Sequence, residues 1–138
     1  MIVTKRIELK TEGHADAHDL TERVARLVGE SKLRSGTVIL FCPSSTSALT
    51  TIEFEAGAVS DLKRLFDELA PPGRDYAHEQ RWHDGNGHSH VRAALLGPSL
   101  VVPFVDGELT LGTWQQIVYL DFDNRPRRRE IVVQIAGE

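Results

Sequence analysis

Gln116-Ile117-Val118-Tyr119-Leu120-Asp121-Phe122, followed by Asp123-Asn124-Arg125-Pro126 and then by Ile131-Val132-Val133-Gln134-Ile135, decides the fold. The first segment is apolar on both parities, so the strand it predicts is covered on both sides, by helices or by a second sheet. Asp123-Asn124-Arg125-Pro126 is a strong turn into a second β-branched run. Upstream, Ser99 to Val105, a turn at Asp106-Gly107 and then Glu108 to Gly112 add further strand-like segments. The basic run Arg125-Pro126-Arg127-Arg128-Arg129 falls between two strands and reads as a solvated turn.

The N-terminal half is different in kind. Residues 2 to 10 alternate, with Val3, Ile7 and Leu9 mostly on one side, which predicts a half-buried first strand. Asp16 is placed to cap a helix that carries Leu20, Val24, Leu27 and Val28 on one face. Gly36 to Phe41 is a β-branched central strand bounded by Gly36 and Pro43. Ser44 to Ser47 reads as a tight link, with Ala48 to Glu55 as the hairpin partner. A second amphipathic helix carries Val59, Leu62, Leu65, Phe66 and Leu69 until Pro71-Pro72-Gly73 stops it. The segment from His78 reads as a long irregular loop. A short helix from about Ser89 to Leu96 follows, anchored by Val91, Leu95 and Leu96 and ended by Gly97-Pro98. The expected fold class is α+β: mainly antiparallel sheet, two amphipathic helices and a short site helix, in one domain over residues 1–138.

Composition narrows the partners. A net charge of −4 at pH 7 without a basic stripe argues against nucleic acid, whose phosphates need clustered Lys and Arg. No apolar run approaches the roughly 18 residues of a membrane span. The single cysteine, Cys42, forms no intrachain disulfide and suits a reducing compartment. The N-terminus alternates like a strand, unlike a signal peptide, so the expected location is cytoplasmic.

Four of the six histidines lie between His78 and Arg92. Neighbouring imidazoles repel when protonated, and a shared cation removes that cost. Gly85-Asn86-Gly87 gives the backbone the freedom to turn just before His88-Ser89-His90. Three neutral imidazoles with one open position suit a catalytic metal, so His78, His88 and His90 are the candidate ligands of a divalent ion, zinc or magnesium. Asp84 and Asn86 can orient a histidine or supply oxygen, and Asp84 equally suits a plain turn. His83, beside Trp82, is left outside the site.

Glu53 and Glu55 share one face of the expected strand, as a surface pair or as carboxylates entering a pocket as ligand or general base. Arg92, in the first turn of the short helix, is a candidate phosphate clamp. Ser44, Ser45 and Thr46 offer hydroxyls to phosphate, without the surroundings of a nucleophilic serine. Gly112-Thr113-Trp114-Gln115-Gln116 can line a pocket for a planar ring, with Trp114 as platform and Thr113 or Gln115 as polar contacts, or can sit at a subunit interface.

Asp84-Gly85-Asn86-Gly87-His88-Ser89-His90-Val91-Arg92-Ala93-Ala94-Leu95-Leu96-Gly97-Pro98-Ser99-Leu100, then Val102-Pro103, Leu111-Gly112-Thr113-Trp114-Gln115-Gln116-Ile117 and Gly137-Glu138, closely resembles the YjbQ-like family, often labelled secondary thiamine-phosphate synthase. The resemblance covers almost the whole chain. It implies a compact α+β subunit, a homotrimer, and a histidine-lined site near a subunit boundary, often holding metal. The activity it implies joins an aminopyrimidine diphosphate to a thiazole phosphate. His78, His88 and His90 match the family's histidines, and Gly112-Thr113-Trp114-Gln115 its signature. Many members carry a histidine followed by Thr-Thr-Ala before an Asn-Glu pair. Here the stretch is Ser45-Thr46-Ser47-Ala48 with Glu53-Phe54-Glu55, which resembles a distinct branch.

The function expected is thus a metal-dependent enzyme acting on a phosphorylated small molecule. The alternatives are metal-assisted hydrolysis, with Glu53 or Glu55 activating water, and a non-catalytic trimer that binds a metal or a phosphorylated metabolite.

Overall fold

In the computed structural model, which describes residues 1–138, the apolar strand Gln116–Asp121 separates two cores. Ile117 and Tyr119 face one of them, while Val118, Leu120 and the following Phe122 face the other. All five are at most 1 % exposed. Burial of a large apolar side chain contributes about 1.5–3 kcal/mol, so this strand is anchored from both sides.

The chain runs β1 (Ile2–Thr11), β2 (Asp16–Asp19), α1 (Thr21–Ser31), β3 (Gly36–Phe41), β4 (Ser47–Ile52), α2 (Ala56–Leu69), α3 (Ala77–Trp82), α4 (Gly87–Leu96), β5 (Ser99–Val105), β6 (Glu108–Leu109), β7 (Gln116–Asp121) and β8 (Arg127–Gly137). One sheet has the order β1-β8-β3-β5-β6 and the other β2-β7-β4, and every pairing is antiparallel. The larger core lies between the two sheets and takes in Leu20, Val24 and Val28 at α1. The smaller core lies between the second sheet and the helices, with Phe66 of α2 and Ala93 of α4. Strand β8 is inserted between β1 and β3, pairing Ile2 with Ala136 on one side and Gly36 with Gly137 on the other. The α+β class and the antiparallel sheets expected from sequence are found.

Several local expectations are corrected. Asp16 begins β2 and accepts from Glu12 N and His18 Nε2; it caps nothing, and Asp19 receives the Thr21 amide at the start of α1. Strand β4 is not the hairpin partner of β3. The Pro43–Thr46 turn carries the chain from one sheet to the other, where β4 pairs with β7. Because β4 ends at Ile52, Glu53 and Glu55 lie outside any strand. The histidine segment contains α3, so it is not one irregular loop. Helix α4 buries His88, Ser89, Arg92 and Ala93, while the expected anchors Val91 and Leu95 are 49 % and 63 % exposed. Arg127–Arg129 open strand β8 and are not a solvated turn.

Candidate functional site

Helix α3 ends in the left-handed residue His83, and the chain turns through Gly85, at φ 73°, into α4. The turn is held by Glu79, whose carboxylate accepts from the Gly85 and Gly87 amides at 2.5 and 2.8 Å. Burial pushes the Glu79 carboxyl up, but those two amides and the neighbouring His78 outweigh it and hold the group below the usual range. The Gly87 position must be glycine for packing: a Cβ there would lie 2.4 Å from Tyr76 Cβ. This tight contact brings the start of α3 against the first turn of α4.

The contact assembles a donor group. His78 Nδ1 is 3.4 Å from Glu79 Oε1 and 3.5 Å from Asp84 Oδ1. Ligand atoms of these three residues all lie within 4.8 Å of one another. The His90 ring lies 4.4 Å from that of His78, centre to centre. His88 is not part of the cluster. It is 3 % exposed, its Nε2 lies 3.4 Å from the Ser89 hydroxyl, and burial first, then the Arg92 and His14 charges, hold its pKa down. The donor group thus holds one histidine and two carboxylates, with the His90 ring beside that of His78 and His88 turned away, because positions two apart on a helix diverge by about 200°.

Asp84 and His90 also line a polar cleft of about 400 Å³. Its other walls are Ser44, Ser45 and Thr46 from the turn between β3 and β4, Asn86, Asp123, Arg127 and Arg129. Beneath it lies an ionic floor. Arg129 grips the fully buried Asp121 with Nε–Oδ2 at 2.7 Å and Nη2–Oδ1 at 2.9 Å, and donates to the hydroxyls of Ser44 and Thr46. Burial alone would lower the Arg129 pKa, yet the hydrogen bonds and charge of Asp121 raise it. Asp123 accepts from Thr46 Oγ1 at 3.0 Å and Asn86 Nδ2 at 3.2 Å, and pairs with Arg127 at 3.2 Å. Burial pushes its carboxyl up, and these partners together bring it below the usual carboxylate value.

Asn86 is an organiser as well as a wall. Its Oδ1 accepts from Asn124 N and lies 2.7 Å from the Ser89 hydroxyl, which is also 2.6 Å from the Phe122 carbonyl. Behind the floor, Gly13, His14 and Ala15 all take positive φ, with the His14 and Ala15 amides bonded to the Asp123 and Asp121 carbonyls. A Cβ on Gly13 would lie 2.4 Å from the Asp123 oxygen. Left-handed non-glycine residues are costly and persist where surroundings enforce them.

The remaining expected site residues lie elsewhere. Arg92 is 3 % exposed, donates from Nε to Ala70 O at 2.9 Å and from Nη2 to Asp67 at 3.0 Å, and lies over Phe66 and Phe122. It faces α2 because it shares the inward face of α4 with His88 and Ser89. Glu55 caps α2, accepting from the Gly57 and Ala58 amides, which lower its pKa. Trp114 is 72 % exposed and Thr113 is exposed beside it, while Gln115 bonds Gly112 N and Thr51 Oγ1. Glu53, Glu55 and residues 113–115 lie at the Ile52–Gln116 end of the β4–β7 pair, whereas the cleft lies at the Ser47–Asp121 end. Five strand steps separate the ends by roughly 17 Å.

Sequence reasoning missed Glu79, Asp121, Asp123, Arg127, Arg129 and Gly13-His14-Ala15. A signal existed for the ionic floor: Asp121 closes an otherwise apolar strand, and a buried carboxylate demands a cation, which the 125–129 run supplies.

The family described as UPF0047 protein YjbQ-like matches residues 5–138, and the chain belongs to that family. A UPF0047 protein of Archaeoglobus fulgidus is 39 % identical over 128 residues, covering 93 % of this chain and 97 % of the relative. The Bacillus subtilis UPF0047 protein YugU is 32 % identical over 135 residues, covering 96 % and 98 %. Among solved structures, a YbjQ-like protein of unknown function from Sulfolobus solfataricus superposes with a TM-score of 0.95 at 31 % identity, over 100 % of this chain and 99 % of that one. No helix is long and apolar enough to cross a membrane.

Proposed function

We propose that the protein is a divalent-metal-dependent enzyme acting on phosphorylated small molecules, with formation of thiamine phosphate as the reaction. The observation that carries the reading is shared walls: Asp84 belongs to the His78–Glu79–Asp84 donor group and, with His90, to the polar cleft above Arg127 and Arg129. An imidazole nitrogen with carboxylate oxygens fits a zinc ion, whereas magnesium favours oxygen alone. When bound, such a cation supplies charge neutralisation for a diphosphate leaving group.

The chain's own residues supply the rest. Ser45 and Arg127 offer donors to phosphate oxygens, and Arg129 positions Ser44 and Thr46. In the proposed reaction the thiazole nitrogen forms a C–N bond to the pyrimidine methylene carbon. The C–O bond to diphosphate breaks, and its electron pair leaves with the diphosphate. Arg92 is not the phosphate clamp in this reading, and Glu53 and Glu55 are too far from the donor group to activate water there within one subunit.

A homotrimer in the cytoplasm completes the proposal. Support for assembly comes from the exposed Trp114, Val101, Val105 and Leu95, joined to the family resemblance. The test is metal content and product formation together. Wild-type protein should retain about one divalent ion per chain and release diphosphate from the aminopyrimidine substrate only when the thiazole phosphate is present. A His78→Ala, His90→Ala double variant should lose both metal and activity while keeping its circular dichroism spectrum. Metal retained without turnover would instead favour a binding protein, and unchanged metal in the double variant would remove the site.

A further inference from the structure

The cleft contains two guanidinium groups, yet it is not a ready-made anion site. Arg129 is engaged by Asp121 and Arg127 by Asp123, and Asp84 adds a third carboxylate to the same space. Two cations against three carboxylates leave a single negative charge. Glu79, next to Asp84, does not help an anion either, although the Gly85 and Gly87 amides absorb part of its charge. A phosphate entering the cleft alone therefore meets net repulsion in a partly dehydrated space, where charges are screened less than in water.

Other features still point to a polyoxygenated ligand. Apart from Pro43, every side chain lining the cleft is polar or charged, which suits a polar head. Arg127 lines the cleft, and its Nε is buried without a hydrogen-bond partner, so its guanidinium is not fully engaged by Asp123. Donors are present, and only the charge balance is wrong. With Glu79 counted, the group carries two negative charges, and a divalent ion on His78, Glu79 and Asp84 would bring it to neutral without moving either arginine.

We infer that the cation and the phosphate are positively linked: the cleft binds phosphate well only when the His78–Glu79–Asp84 group is filled, so its substrate class is a phosphate or diphosphate recognised together with its metal. Asp123 sets the linkage by cancelling Arg127. By thermodynamic reciprocity, phosphate must tighten the metal by the same factor. This rests on the cation reading proposed above and goes beyond it by specifying the coupling between the two ligands and the residue that sets it.

Equilibrium dialysis of radiolabelled inorganic phosphate against the whole protein, with chelator and with zinc or magnesium at micromolar concentration, tests it. Metal binding without phosphate is measured in parallel. The expected result is a phosphate affinity higher with metal by roughly 5–150-fold, and the same factor in metal affinity when phosphate is present. Asp123→Asn, which keeps an amide oxygen to accept from Asn86 Nδ2 and turns its NH2 toward the Thr46 hydroxyl, should bind phosphate without metal and show a smaller ratio. Arg127→Gln should lose phosphate binding while binding metal normally. Metal bound but phosphate affinity equal with and without it would overturn the linkage and leave the cation site standing. Phosphate bound with no metal retained under any condition would overturn both. Phosphate bound in neither condition would remove the cleft as its site. Should either variant unfold, the wild-type comparison alone decides.

Discussion

Arg92 shows how one position can carry the right chemistry and face the wrong way. Its guanidinium closes the C-terminal end of α2 through Ala70 O and sits over two aromatic rings, so its loss is a stability matter. Arg92→Met should cost about 1–3 kcal/mol in urea denaturation, the scale of a lost charged hydrogen bond with its packing, and leave phosphate affinity unchanged. His88 makes a second prediction. Its folded pKa lies below the usual 6.5, so the unfolded chain binds the proton more readily. Stability is then full above pH 6.5 and falls as pH drops through and below that value, until the folded pKa is passed. Melting temperatures between pH 7.5 and 5 should show this slope in wild type and a shallower one in His88→Gln; equal slopes would sink the assignment. Sequence identified the His78–His90 pair because histidines are scarce and clustered there. It could not tell His88 from His90, since which face of a helix is buried depends on what α4 meets, and α2 is remote in sequence.

Helices and strands were largely readable from periodicity, because burial on one face or two leaves a pattern within the element itself. Pairing was not. Strand β4 follows β3 after a short turn, the usual mark of a hairpin, but both β4 and β7 are buried on two faces and belong together in a middle layer. That exchange moved Glu53 and Glu55 away from the histidines. Contact between α3 and α4 is the element-scale feature the site depends on, and Gly87 permits it. Gly87→Ala would drive a Cβ into Tyr76. It should spread His78 from His90 and weaken metal binding by roughly 10–100-fold, the cost of disturbing groups that orient ligands. Isothermal titration with zinc measures this, and an unaltered affinity would mean that α3 yields without carrying His78 along.

At the scale of the molecule, the polar cleft and the exposed Trp114 occupy opposite ends of the β4–β7 pair, so no small ligand spans both in one subunit. Assembly is the way to join such ends. Light scattering at micromolar concentration should give three times the subunit mass, and Trp114→Ala should shift it toward the monomer if that ring is an interface anchor. The sequence pointed to association through its large apolar strand content, while the number three came from family resemblance alone. The order β1-β8-β3 in the large sheet has a consequence in time. Synthesis delivers β1 before and β8 after the other strands, so the first strand waits for its partner until β2 to β7 have been made. Through that interval β1 and β3 present unpaired backbone edges, and the nascent chain depends on the charges of Lys5, Arg6, Glu8 and Lys10 to keep neighbouring chains from pairing in place of β8.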